Sequence, residues 1–294
     1  MSVMAPNELK AVLIKIAFNL GFDDVRFTEN PLGGDKPTAA FLIKRYVPAD
    51  GKVKTGEIAL SEYYPASQSG YENTHLFVDR LHSELDIEAE MTNALNYKKQ
   101  VLTTGGTMGR NSLYYHPEFG SFINMRCVLI GAEVAMDTQA AGKSLCQDCG
   151  LCMAVCPTGA IDKKGWEREK CLRNMMSEGL PKSERKKVYE LLGCELCQLV
   201  CPMNPNERKE ATAYDLLAVI KGDETKHLKA ICGKNMATRT RLLTQALAYA
   251  AAKDFKAALP EIECLCDDEL DKVREMAIWA KDELTKQKKK RTRL

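Results

Sequence analysis

The sequence predicts a multi-domain α+β protein: an α/β N-terminal domain over residues 1–138, a small cysteine-ligated domain over 139–208 and an all-α domain over 209–294. Three observations carry this. The first 138 residues interleave helical and alternating apolar spacing; the middle segment holds eight of the twelve cysteines; beyond Pro205 the apolar residues keep helical spacing to the end. At 294 residues the chain exceeds the usual single domain of about 100–200 residues, so several units are expected.

With 45% hydrophobic and 28% charged residues, the composition is that of a soluble globular protein. No stretch approaches the roughly 20 uninterrupted apolar residues of a membrane span, so no membrane partner is expected. The start, MSVMAPNELK, lacks the apolar core of a secretory signal, so a reducing, cytoplasmic location is expected. The net charge of +2 does not point to a polyanionic partner. Six cations nevertheless fall in the last nine residues, Lys286 to Leu294, readable as a solvated tail or as a contact with a phosphate backbone.

In the N-terminal domain, Leu9, Val12, Leu13, Ile16, Ala17 and Leu20 recur at helical spacing, with Asn7 placed to cap the helix and Gly21 to end it. Asp24–Thr28 and Ala39–Ile43 read as short strands, and residues 70–85 return to helical spacing. Ile87, Ala89 and Met91 alternate as in a strand, after which Thr92 or Asn93 is placed to cap a helix running to about Leu102. Cys127–Val134 is apolar enough for a buried strand. Between these lies Thr104-Gly-Gly-Thr-Met-Gly-Arg-Asn-Ser-Leu113, whose three glycines permit close backbone approach to a ligand or simply a turn. It has neither a Walker ending nor a dinucleotide fingerprint. Nothing in the sequence places a metal partner beside His75, His82, His116 or His227.

The middle segment is the most specific. Cys146-Gln-Asp-Cys149-Gly-Leu-Cys152-Met-Ala-Val-Cys156-Pro157 is the ligand run of a [4Fe–4S] cluster of the bacterial ferredoxin type, whose last cysteine ligates a neighbouring cluster. Cys194-Glu-Leu-Cys197-Gln-Leu-Val-Cys201-Pro202 repeats its ending. If Cys201 joins Cys146, Cys149 and Cys152, and Cys156 joins Cys194 and Cys197, the second cube needs one more thiolate. Cys171 is the only cysteine between the two runs, which makes a ferredoxin-like domain with two all-cysteine clusters. Zinc sites lack the CxxxCP ending, and disulfides do not suit a chain without an export signal.

Pro181 and Gly193 bracket a charged stretch expected to be helical through Leu192. Past Pro205 three apolar stripes follow, around Leu242–Ala250, Ala258–Leu265 and Leu270–Leu284, which suits one or two HEAT-like units.

With the glycine loop, the following Tyr114-Tyr-His-Pro-Glu-Phe-Gly-Ser-Phe122 and the paired cysteine runs in this order, the chain resembles the epoxyqueuosine reductase family. Resemblance extends over most of the chain and is particularly close at residues 194–202. It implies a cobalamin-dependent cytoplasmic enzyme, related to reductive dehalogenases, that converts epoxyqueuosine to queuosine in tRNA with electrons from an external low-potential donor. It further implies that Gly106, Gly109, Arg110, Asn111 and Ser112 form the cobalamin loop, and that Glu90, reached by counting back from Asn111, is the general acid. The chain departs from that pattern at Met108 and Arg110, where typical members carry an aromatic residue and a lysine, and in Leu172–Glu178 after Cys171. Two readings stand beside the enzyme: a ferredoxin-like electron-transfer protein docking to another redox enzyme without cobalamin, and a non-catalytic RNA-binding relative.

Overall fold

A computed structural model describes residues 4–138 and 146–291, with side chains in the last helix described through Lys286; most of the basic tail therefore lies outside the described residues. Contacts divide the chain into two compact units. One comprises Met1–Val47, Pro65–Leu151 and Val200–Asn206; the other Pro48–Tyr64, Cys152–Leu199 and Glu207–Leu294. These cut across the three consecutive blocks expected above, because residues 48–64 pair with partners far along the chain.

The first unit is built on a four-stranded antiparallel sheet. Strand Asp24–Glu29 pairs with Thr38–Arg45, which pairs with Ile123–Ile130, which pairs with Ala89–Thr92. Successive side chains on a strand point to opposite faces, and both faces here are covered. Ala40, Leu42, Val128 and Ile130 pack with Leu9, Leu13, Ile16 and Ala17 of helix Pro6–Asn19 and with Phe77 and Leu81 of helix Tyr63–Leu85. On the other face Ala39, Phe41, Cys127 and Leu129 meet Leu95 and Tyr97, and Ile43 and Ile123 meet Val101 and Tyr114. Burial on both sides explains the unbroken apolar run seen in the sequence. That strand begins earlier than expected, at Ile123, and ends at Ile130.

Two expected caps differ. Pro6 takes the first helical position with Ala5 at the cap, so Asn7 lies inside the helix. The helix after Ala89–Thr92 is a single turn, Tyr97–Val101, capped by Asn96, whose side chain accepts from the Lys99 amide at 3.2 Å. Tyr97 donates to the Thr92 carbonyl, which holds the intervening residues out of the helix.

Asp24 and His116 knit the unit together. The Glu118 and Phe119 amides donate to His116 Nδ1, leaving Nε2 to donate to Asp24 at 2.8 Å, while Arg26 contacts the same carboxylate at 2.5 Å. Burial pushes the Asp24 carboxyl up, but His116 and Arg26 outweigh it and hold the group below its ordinary value of 3.8. A depressed carboxylate contributes stability above that value, lost as pH falls through the lower folded value. Asp24→Asn is therefore expected to lower Tm by a few degrees at pH 7, with the gap to wild type closing below about pH 4 in calorimetry.

In the second unit, strand Glu57–Ala59 pairs antiparallel with Ala213–Asp215, and Leu60 bridges in parallel to Leu191. Ile58, Leu60 and Leu191 enter a core formed with Leu242, Ala246 and Leu247 of helix Arg239–Ala252 and Val273 and Ala277 of helix Asp271–Arg291. The Arg239–Ala252 helix carries the expected stripe, and its Thr238 hydroxyl accepts from the Arg241 amide at 3.3 Å. The helix expected over 181–192 is absent: only a 3₁₀ turn, Arg185–Lys187, forms. The Leu191 amide donates instead to Ala59 O at 2.8 Å, and the Leu192 amide to Gln245 Oε1 at 2.6 Å, with Leu192 at φ 66°. Tertiary partners thus outcompete local helix propensity.

Candidate metal centre and ligand loop

Cysteines from separated segments meet in one cavity of the first unit, and in the second unit Cys171 comes near Cys194 and Cys197. In the first unit, Cys146, Cys149 and Cys201 line one cavity of about 100 Å³ together with Gln147, Pro202 and Met203. Cys201 is brought there by Asn204, whose amide donates to the Cys201 carbonyl at 3.0 Å and whose Oδ1 accepts from the Ser121 amide at 2.7 Å. Gly120 permits this approach: it sits at φ 60°, and a Cβ there would lie 2.2 Å from Asn204 Oδ1. The Glu-Phe-Gly-Ser segment of the sequence is thus the clamp that seats the second Cys-Pro ending. Cys152 is half-buried on the short helix Leu151–Val155, where the second unit begins.

In the second unit, Cys194 lies near Cys171 and Cys197; burial, then a Cys197 charge, then Glu190 and Cys171 charges push its thiol up, while the Leu196 amide donates to its sulfur. Iron binding takes such a thiol as the thiolate. Cys156 Sγ accepts from the Ala160 amide at 3.2 Å and lies 3.7 Å from the Thr158 hydroxyl. N–H groups aimed at sulfur are among the devices that set a cluster's potential. Among the described residues no three His, Cys, Asp or Glu side chains converge as a mononuclear metal site. The thiolates of a cube each take a different iron and stand farther apart, which is the arrangement that cysteines from separated segments supply.

Little in the residue order announces the buried acidic cluster around the second set. Glu62, Glu190 and Glu195 are each at most 7% exposed. Burial, then the Glu195 charge, pushes the Glu190 carboxyl well above the usual carboxylate range, Tyr189 and Arg173 opposing. Glu62 is neutralised by Lys209 at 2.7 Å and accepts from the Thr212 hydroxyl at 2.7 Å. Arg173, one of the departures after Cys171, lies over the Tyr63 ring at 4.1 Å. Cys127 and Cys232, both left outside the clusters by the sequence, are buried with thiols pushed up to about 12 by that burial.

The glycine loop forms a tight hairpin, Thr107–Met108 against Tyr114–Tyr115. A Cβ on Gly106 would meet Tyr115 O at 2.5 Å, and one on Gly109 would meet Asn111 Oδ1 and the Tyr115 ring at 2.6 Å, so both glycines are demanded by the loop's own packing. Asn111 is buried and donates to Tyr115 Oη at 2.9 Å; Lys98 donates to the Ser112 carbonyl at 2.5 Å, Ser112 itself standing at φ 57°. Arg110 pairs with Asp148 at 2.8 Å, between Cys146 and Cys149, so the loop and the first ligand set share an ion pair.

Glu90 is not brought to this loop. It pairs across the sheet with Leu129, four residues or about 13 Å along the strand from Met125, which packs near Met108. Its side chain is 60% exposed, with Lys36 at 3.8 Å. Glu90→Gln is therefore expected to leave turnover and cluster content within about twofold of wild type; a loss of 100-fold or more would reinstate it as an acid.

Comparison with known proteins follows the same lines. Residues 145–204 match the 4Fe-4S double cluster binding domain family. Epoxyqueuosine reductase of Bacillus subtilis is 26% identical over 193 residues, 60% of this chain and 49% of that protein; that of Listeria monocytogenes is 31% identical over 103 residues, 34% and 27% respectively. The chain is thus matched to these relatives over about a quarter to a half of their length. A crystal structure of epoxyqueuosine reductase with an epoxyqueuosine-modified tRNA-Tyr stem loop superimposes at a TM-score of 0.78 with 20% identity, covering 94% of this chain and 90% of that one. A catabolic reductive dehalogenase superimposes at 0.57 with 15% identity, covering 95% and 39%. The chain is thus similar in sequence to epoxyqueuosine reductases over part of their length and shares their fold, and its residues 145–204 match a double [4Fe–4S] binding domain.

Proposed function

We propose that this chain is an oxidoreductase, dependent on two [4Fe–4S] clusters and cobalamin, that reduces epoxyqueuosine to queuosine in tRNA or acts on a related substrate. The observation that carries the reading is the gathering of thiols from separated segments into two sets, on a fold that epoxyqueuosine reductase shares over nearly the whole chain. Cys146, Cys149, Cys152 and Cys201 would hold one cluster, and Cys156, Cys171, Cys194 and Cys197 the other. The glycine loop suits a corrinoid as a fixed platform. Arg110 and Asn111 are committed to Asp148 and Tyr115, so they brace the loop, while Gly106, Gly109 and Ser112 supply its backbone edge and hydroxyl. Bound there, cobalamin would supply a strongly reducing metal able to open a strained C–O bond. We read the helices from Arg239 onward as the HEAT-like unit, with tRNA as macromolecular partner and a low-potential carrier as electron source. No helix among the described residues is long and apolar enough to cross a membrane.

The test is anaerobic reconstitution with iron, sulfide and cobalamin, followed by incubation with reductant and epoxyqueuosine-containing tRNA. About eight irons and one corrinoid per chain, with queuosine appearing in the digested nucleosides, are expected. Iron without retained corrinoid and without turnover would leave an electron carrier and overturn the assignment.

A further inference from the structure

The second unit contains a cavity of about 750 Å³ that the reading above leaves unused. Its wall includes Leu196, the residue that lies between Cys194 and Cys197, and Tyr189, whose hydroxyl oxygen accepts from the Glu195 amide at 2.7 Å. The cavity therefore reaches the peptide segment that carries two of the second set's thiols. Its other lining charges are mostly positive: Lys52, Lys54, Lys187 and Lys253 against Glu57. Lys52 is 3.5 Å from Asp50 and Lys187 2.7 Å from Glu184, whereas Lys54 and Lys253 are exposed and have no carboxylate partner among the described residues. The nearest acidic group to Lys54 in sequence, Glu57, is occupied in accepting from the Lys54 backbone amide at 2.9 Å.

A concavity with an excess of one sign of charge raises the encounter rate of an oppositely charged partner. The segment it reaches carries the half-buried Cys194 and Cys197, and the carboxylates around that set, Glu62, Glu190 and Glu195, are buried. The positive rim is therefore not there to neutralise the cluster's pocket. It faces outward.

We propose that this lysine-rimmed cavity is the docking site of an acidic one-electron carrier protein, which delivers electrons to the second cluster first. The proposal rests on the two-cluster reading of the cysteines. In the step itself one electron leaves the carrier's reduced centre and one iron of the cube passes from ferric to ferrous; no bond forms or breaks.

The experiment is anaerobic stopped-flow reduction of the reconstituted full chain, followed by cluster bleaching, with photoreduced flavodoxin as the acidic probe and dithionite as the small reductant. For Lys187→Glu/Lys253→Glu, the bimolecular rate constant with flavodoxin is expected to fall ~10-fold or more at low ionic strength, with dithionite reduction and iron content unchanged. Lys229→Glu, an exposed lysine on another helix, should change neither. In wild type the flavodoxin rate should fall steeply with added salt. A salt-independent rate, a wild-type rate in the double variant, or an equal loss in Lys229→Glu would overturn the proposal, as would loss of tRNA stem-loop binding in the double variant with reduction unaffected. Absence of any dithionite-reducible cluster would instead sink the cluster reading itself.

Discussion

In Cys171→Ala, iron is expected to fall from about eight to about four per reconstituted chain, with one reducible cluster signal surviving in EPR. Cys171 is the one proposed ligand outside both motif runs. The structure puts it near Cys194, whose thiol its charge reaches, and at the mouth of helix Leu172–Glu178, where its carbonyl accepts from the Met175 amide at 2.9 Å. A cube left with three protein thiolates is expected to be lost, since the carboxylates nearby, Glu190 and Glu195, are poorer iron ligands than a thiolate, while Cys146, Cys149, Cys152 and Cys201 keep theirs. Cys264→Ala, at an exposed helical position, is the control and should keep the full complement. Retention of about eight irons in Cys171→Ala would remove it from the ligand set.

Gly193→Ala should be strongly damaging to the second unit. A Cβ at this position would lie 2.3 Å from Ser61 Cβ and 2.4 Å from Ser61 Oγ, inside a wall closed by Glu190 at 3.1 Å. These contacts are far below van der Waals separation, and neither side can yield. Ser61 is tied to the same strand crossing, its amide donating to Leu191 O at 3.1 Å, and the Leu192 amide is held by Gln245. Overpacking of this kind costs roughly 1–3 kcal/mol or more. For a unit of this size that corresponds to a fall in Tm of about 3–10 °C, and because Gly193 adjoins Cys194 the second cluster should be lost with it. Removing the opposing methylene should restore part of both: Ser61→Gly combined with Gly193→Ala is expected to recover more stability than the sum of the single changes predicts. Additive losses in calorimetry and iron assay would show that the close approach is not what limits this position.

How much of this was legible beforehand depended on whether the signal was local. Helix Pro6–Asn19 and helix Arg239–Ala252 announced themselves through apolar stripes; the structure buries Leu9, Leu13, Ile16 and Ala17 of the first, with Val12 and Leu20 only half-buried, and the whole stripe of the second. The cysteine runs were legible for a different reason: metal chemistry fixes spacing more tightly than packing does. Glycines told half a story. Those at 106 and 109 suit either a ligand's approach or a turn, and the structure packs Tyr115 against both. What could not be read is what long-range partners decide. Residues 181–192 carry a helical composition, yet Ala59 and Gln245 capture two of their amides; Glu90 is reached only by a count from Asn111, while the fold leaves its side chain exposed beside Lys36. The acidic trio around the second set comes from two distant stretches, and only the fold unites it.

Strand Glu57–Ala59 finds its partner about 150 positions downstream, at Ala213–Asp215, and the segment carrying Cys194 is pinned by a side chain still later, Gln245. During synthesis the early strand therefore emerges long before anything exists for it to pair with, and the thiols of the second set have no fixed geometry until the final helices are made. On the two-cluster proposal, iron would reach that set late, after the ribosome has finished most of the chain. A truncation that removes the helix bearing Gln245 is then expected to yield a polypeptide that keeps all eight of the proposed ligands yet does not take up the second cluster.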